Sequence, residues 1–226
     1  MTVTYQVLNV ANGGGSENLL INPRGKINQA NESDGVLSAG QYFCDGWKAG
    51  AAGAEVYRDA DGFRLISGSI LQLVPNNLDA GRPIKGNLDV ISGTPVVRIN
   101  GGTGSESSNA QTYITFEVVG NNSKFTRLIL AESEDLPIYQ QSSDELMPCK
   151  QFLWVYGGRL HRYIGVVAQC FWDEIVCDFH KVPAITYSAK SPDTATVVTW
   201  AKGFHINTNA NTAAVWLDNI TLDARP

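Results

Sequence analysis

Apolar and polar residues alternate with period two along most of this chain, and almost nowhere recur at the three-to-four spacing of an amphipathic helix. Residues 2–8 set Val3, Tyr5 and Val7 against Thr2, Thr4 and Gln6, then break at Asn12-Gly13-Gly14-Gly15-Ser16. A glycine tract is a flexible joint, so the first strand reads as an arm that pairs with something else. The body begins at 18–21, and strands are expected over 41–48, 54–58, 63–66, 70–74, 88–91, 96–100, 111–119 and 124–131. Turn chemistry separates them at Asp61-Gly62, Ser67-Gly68, Pro75-Asn76-Asn77, Ser92-Gly93 and Gly120-Asn121-Asn122. Residues 101–109 (GGTGSESSN) read as a long polar loop, of a kind that carries binding in some proteins and is surface padding in more.

The alternation lapses over 133–147, which is acidic and polar around Pro137-Ile138-Tyr139. It resumes after Pro148, where Phe152, Trp154 and Tyr156 share one face of a strand that is expected to stop at Gly157-Gly158. Further strands are expected over 166–172, 175–179, 184–187, 195–201 and 213–222. The chain is thus expected to be all-β: an arm and glycine joint over 1–17, a jelly-roll sandwich over 18–132, a linker over 133–147 and a smaller β-rich domain over 148–226. Four of the five tryptophans fall in the last unit, enough apolar surface for a core of its own or one shared between subunits.

Composition fits many short strands: 22 glycines, and only 17% charged residues where a quarter is usual. The net charge of −5 gives no basic stripe for nucleic acid and no polybasic segment for an anionic membrane, so neither is an expected partner. The first 20 residues lack the basic start and apolar block of a signal peptide. Cys44, Cys149, Cys170 and Cys177 are few for the length and read as reduced, mostly buried thiols.

Candidate chemistry is sparse. Cys149, Cys170, Cys177 and His180 include zinc-type ligands, but Cys170 and Cys177 are seven apart and fall on opposite faces of a strand, so no metal is expected. The run from Arg58 to Gly62 begins like a calcium loop but lacks its later oxygen ligands, so a hairpin turn is the better account. Asp173 and Glu174 are adjacent acids, which in a turn are usually just solvated, whereas a glycosidase needs two carboxylates facing one cleft. His161, His180 and His205 are scattered with no evident nucleophile beside them, and no nucleotide-cofactor, P-loop or hydrolase motif occurs. No cofactor and no enzymatic activity are expected.

Aromatics remain. In QYFCDGWKAG (41–50), period two sets Phe43 and Trp47 on one face with Asp45 between them, and Tyr42 and Cys44 on the other. Aromatic faces beside a carboxylate hold sugars in sandwich lectins, although rings in such a fold more commonly pack the core. Tyr42, Asp45 and Trp47 are the candidate ligand-binding residues.

Two blocks, in order, resemble the distal parts of bacteriophage tail fibres and related virion proteins. The first is NLLINPRGKINQ (18–29) with AGQYFCDGWKAG (39–50), matching at Ile21, Asn22, Ile27, Asn28, Gln29, Gly40, Tyr42, Asp45 and Trp47. The second is LILAESEDLPIYQQSSDELMPCKQFLW (128–154), matching at Glu132, Pro137, Tyr139, Glu145, Leu146, Cys149, Phe152 and Trp154. A third, looser block is DFHKVPAITY (178–187), which keeps Phe179 and Pro183 but lacks a proline, a methionine and an arginine of the family pattern. The resemblance implies a carbohydrate-binding-like jelly roll handing over to a β-rich end domain at DELMPCKQFLW. It further implies a non-enzymatic virion protein, homotrimeric, attaching to a host surface glycan and made in the host cytoplasm. Tail fibres usually carry a long shaft, and here only about 17 residues precede the first domain. The alternative is therefore a head fibre or capsid decoration protein, docked on another virion protein through residues 1–17.

Overall fold

The computed structural model describes residues 17–163, 169–171, 178–191, 195–207 and 214–226, by backbone alone at 161–163, 169–171, 205, 207 and 214. The chain is almost entirely β, as the period-two pattern requires. Among the described residues every strand pairing is antiparallel, and no helix is long and apolar enough to cross a membrane.

The first nine strands form one curled sheet: β1 (Gly35–Leu37), β2 (Tyr42–Cys44), β3 (Trp47–Asp59), β4 (Gly62–Pro75), β5 (Pro83–Ser92), β6 (Val96–Ile99), β7 (Ser105–Ser107), β8 (Tyr113–Val119) and β9 (Ser123–Glu132). The path runs β1-β3-β4-β9-β5-β7, with β2 on β3 and β8 bridging β4 to β6. The 14-residue strand β4 makes the curl, because its halves take different neighbours. Phe63 to Leu65 pair with β9, whereas Ser69 to Pro75 pair with β8. Between them sits Gly68 at φ +83°, where a Cβ would come within 2.4 Å of the Gly53 carbonyl oxygen. Ser67-Gly68 is thus not the expected turn: it is an irregularity inside one long strand, because the ladder to β3 resumes on both sides of it.

β8 shows why this part folds as it does. Its YITFEVV alternates half-buried and fully buried positions, so Ile114, Phe116 and Val118 enter the core. They meet Trp47, Phe43, Phe63 and Phe125, whose rings lie 5.3–6.1 Å apart and mostly edge-on or tilted. The 101–109 stretch, expected as a loop, contains β7 paired to the outer edge of β5. Glu106 accepts from the Thr103 backbone N–H at 2.8 Å and holds this edge in place.

A one-and-a-half-turn helix, α1 (Leu146–Lys150), leads into the rest: β10 (Leu153–Tyr163), β11 (Gln169–Phe171), β12 (Ala184–Thr186), β13 (Ala189–Ser191), β14 (Thr196–Trp200), β15 (Gly203–Asn207) and β16 (Ala214–Asp223). β16 carries β10 on one side and β12 and β13 on the other, while β11, β15 and β14 form a second small sheet. Gly157-Gly158 does not end β10. The pairing steps from Tyr156↔Ile220 to Arg159↔Asp218, so two residues of β10 face one of β16, and that one is Asn219 at φ +49°. The slip explains the spacing in AVWLDNITLD: Val215 and Leu217, then Ile220 and Leu222, all enter the core although the two pairs are out of phase.

Two separate apolar clusters result, one built from residues between 20 and 130 and the other from residues between 160 and 224. The 133–147 stretch is strapped to the first. Ser133 donates to the Pro83 carbonyl at 3.0 Å, Asn87 Nδ2 donates to the Pro137 carbonyl at 3.0 Å, and Lys85 Nζ donates to the Glu134 carbonyl.

Candidate functional site

Residues 18–32 run across the sheet with little regular structure of their own, so their backbone groups need side-chain partners. Asn18 lies along β9: its Oδ1 accepts from Leu130 N at 3.1 Å and its Nδ2 donates to the Leu128 carbonyl at 2.9 Å. Gln72, on β4 and 3% exposed, acts as a missing strand neighbour for Ile21. It accepts from Ile21 N at 2.8 Å and donates to the Ile21 carbonyl at 3.0 Å.

Asn22 sits in the left-handed region at φ +48°, a conformation asparagine tolerates better than most residues. It is 1% exposed and nonetheless fully used. Its Nδ2 donates to the Ile27 and Asp45 carbonyls at 2.8 and 3.0 Å, its Oδ1 accepts from Ile27 N at 3.0 Å, and its carbonyl accepts from Trp47 Nε1 at 2.9 Å. Asp45, also 1% exposed, takes the Gln29 backbone N–H at 2.8 Å and Gln29 Nε2 at 2.6 Å. Gln29 Nε2 also donates to the Leu153 carbonyl at 2.6 Å, which ties this knot to the start of β10. Burial pushes the Asp45 carboxyl up from its ordinary value, and the Gln29 hydrogen bonds and the Arg225 charge oppose that rise.

The three expected sugar-contact residues are therefore not a surface platform. Asp45-Gly46 is a tight turn joining β2 to β3, with Cys44 opposite Trp47, and the side that Phe43 and Trp47 share is the core, where both rings pack on Phe63. Trp47 and Phe43 are both wholly buried. Tyr42, on the other side, is half-buried at the seam with the second cluster. Its hydroxyl donates to the Pro226 carbonyl at 2.8 Å, and the Arg225 guanidinium lies 4.2 Å from its ring centroid. Burial, only partly offset by Arg225, pushes the Tyr42 phenol up to about 12.

Arg225 is the centre of that side of the seam. Its Nη1 reaches Glu32 Oε1 at 2.5 Å and its Nη2 reaches Asp223 Oδ2 at 2.8 Å, while Lys48 Nζ joins Tyr42 on the Pro226 carbonyl at 3.1 Å. Burial works against the guanidinium's charge, but the two carboxylates prevail and hold it protonated.

His180 closes a third part of the seam. Its Nε2 shares a hydrogen bond of 2.8 Å with the Tyr113 hydroxyl of β8, and its ring leans on Phe152 at 5.3 Å between centroids. Burial first, and the Lys181 charge second, hold the imidazole below its ordinary 6.5. A lowered folded-state value means that protonation favours the unfolded chain, so the stabilisation is complete above about 6.5 and is lost as pH falls through the folded-state value. Thermal unfolding followed on either side of that value should show the midpoint falling in acid, and more shallowly in His180→Gln.

Of the metal candidates, the buried Cys149 thiol donates to the Glu145 carbonyl at 3.2 Å, and burial raises its pKa. Cys177 and the side chain of Cys170 lie outside the described residues, as do Asp173, Glu174, the side chains of His161 and His205, and the arm over 1–16. Among the described residues no cluster could hold a metal ion. Asp61, in the stretch with calcium-loop character, faces Arg24 and Lys26 instead, each at 3.4 Å.

Beside the knot opens a cleft of about 630 Å3, walled by the 17–23 segment, the end of β4, the 139–145 stretch and the approach to β10. Gly46 lets two wall residues pack closely there, since a Cβ would meet Ile21 Cγ1 at 2.7 Å and Gln72 Nε2 at 2.8 Å. Glu145 is held in its wall, accepting from Arg24 Nε and from the Tyr139 hydroxyl, both at 3.0 Å. No periodicity along the chain points to this cleft: Ile21, Asn22, Tyr139, Glu145 and Phe152 of the two resemblance blocks line it, but they come together only in the fold. No protein family matches this chain, and neither a curated protein nor a solved structure does.

Proposed function

We propose that this protein is a bacteriophage virion protein of the tail-fibre, receptor-binding type, which attaches to a host-surface glycan by binding and not by catalysis, as a homotrimer. One observation carries the reading. Residues behind the resemblance to virion proteins are far apart in sequence but meet in one joint: Asn22, Gln29, Asp45 and Trp47 of the first block bond to one another, and Arg24 and Gln29 reach Glu145 and the Leu153 carbonyl in the second. A motif that holds two β units in a fixed mutual orientation suits a rigid tip that must present a binding surface under load. Trimerisation would multiply weak contacts into useful avidity.

The test combines light scattering on the purified full chain with immunogold labelling of virions. A trimer, with label at the tail tip and saturable attachment of the protein to host cells, is the expected result. Label spread over the capsid with no attachment would replace this reading with the head-fibre or decoration role.

A further inference from the structure

We infer that the cleft beside the seam is a saccharide site, selective for neutral, hydroxyl-rich sugars over acidic ones. This deepens the attachment reading and rests on it. A cavity of about 630 Å3 lies within the roughly 300–1,000 Å3 of small-molecule sites. Among the described residues its lining contains no lysine, arginine or histidine, so nothing there balances a phosphate, sulfate or sialic carboxylate. The acids at its rim, Glu17 and Asp144, repel such groups further.

What the walls do offer is amide and aromatic surface. Asn77, Gln140, Gln141 and Gln151 line the cleft, and among the described residues their side-chain amides have no protein partner. Each amide presents two donors and an acceptor, which matches sugar hydroxyls that both give and take. Tyr139, half-buried, also lines it and supplies ring surface for the apolar face of a pyranose, while the buried Phe152 ring backs the wall. Gln72 and Glu145 are already satisfied, by Ile21 and by Arg24 with Tyr139, so they shape the wall without competing for ligand. That part of the wall is set before binding, whereas the exposed amides order only on the ligand.

The test uses the full chain, an array of neutral, amino-bearing and acidic oligosaccharides, and the variants Gln140→Ala with Gln141→Ala, and Asn77→Trp. All three positions are exposed, so folding should be unaffected, which thermal unfolding checks. The expected result is binding to neutral glycans but not to their sialylated or sulfated forms. The double alanine variant should weaken it by about tenfold or more, the loss of roughly two ordinary hydrogen bonds, and Asn77→Trp should block it. Neutral-glycan binding that survives in both folded variants overturns the cleft assignment and leaves attachment standing. A protein that attaches to cells but binds only acidic glycans, or none on the array, overturns it equally. Failure to bind either cells or glycans sinks both readings.

Discussion

Replacing Trp47 with alanine is expected to cost about 3–5 kcal/mol of stability, the range for deleting a large buried aromatic side chain. The ring is wholly buried, and it touches Phe63 and Phe116 at centroid distances of 5.3 and 6.1 Å. One further loss adds to the cavity. The Asn22 carbonyl loses its indole donor, which is also a tie between the 18–32 segment and β3. Trp47→Phe should cost less, since it keeps most of the apolar volume and gives up the hydrogen bond, worth about 1 kcal/mol. Urea titration followed by far-ultraviolet circular dichroism reads both. An alanine variant that keeps its midpoint and loses only glycan binding would return Trp47 to the surface platform.

Arg225→Ala should be the next most damaging change, at the seam instead of in the core. The Arg225 side chain is 12% exposed and its partner Glu32 is 17% exposed, so their pairing is largely shielded from water. Removing one member of such a pair typically costs about 3–5 kcal/mol, because the other charge stays buried. Glu32 is poorly placed to absorb the loss, since its second carboxylate oxygen is already buried without a partner. Asp223, with a side chain 37% exposed, can turn to water and should contribute less. A double-mutant cycle separates the two. With Glu32→Gln in place, Arg225→Ala should cost clearly less than it does alone, whereas Asp223→Asn should change that cost little. Equal costs in every background would mean that Arg225 acts through its packing on Tyr42 and not through charge.

Strand content was legible wherever one strand buries one face. The alternation in β8 is a direct image of its burial, and the hairpin between β3 and β4 sits where Asp61-Gly62 announced it, with Asp59 opposite Gly62. The misreadings share a physical cause. At Ser67-Gly68 and at Gly157-Gly158, glycine permits a local irregularity while the neighbouring strands continue to pair, so the same residues that end a strand elsewhere only bend it here. β15 escaped notice because its two core residues, Phe204 and Ile206, give too short an alternation to register.

The candidate site was legible as residues but not as roles. Asn22, Gln29, Asp45 and Trp47 stood out, yet their partners are set by tertiary contact. Gln72 substitutes for a strand 51 positions from Ile21, and Leu153 receives the Gln29 amide from 124 positions away. A buried asparagine or aspartate leaves no mark in a hydrophobicity pattern, because that pattern reads apolar residues alone. The cleft was invisible for the same reason, its rim being the polar stretch that composition assigns to a linker.

The seam also dictates an order of events in folding. Its contacts through Pro226 and Arg225 span 178 to 193 positions, to Lys48, Tyr42 and Glu32, while the aromatic core around Trp47 draws on residues between 20 and 130. Closing a long loop is entropically unfavourable, and that cost is offset only once both ends are already structured. The first β unit is therefore expected to condense early and the latch to engage late, an order that stopped-flow refolding of Arg225→Ala beside the parent chain would check. During that interval the Tyr42, Lys48 and Glu32 surface stays open to the matching tail of a neighbouring copy, so dilute refolding favours the closed chain and crowded refolding favours exchange.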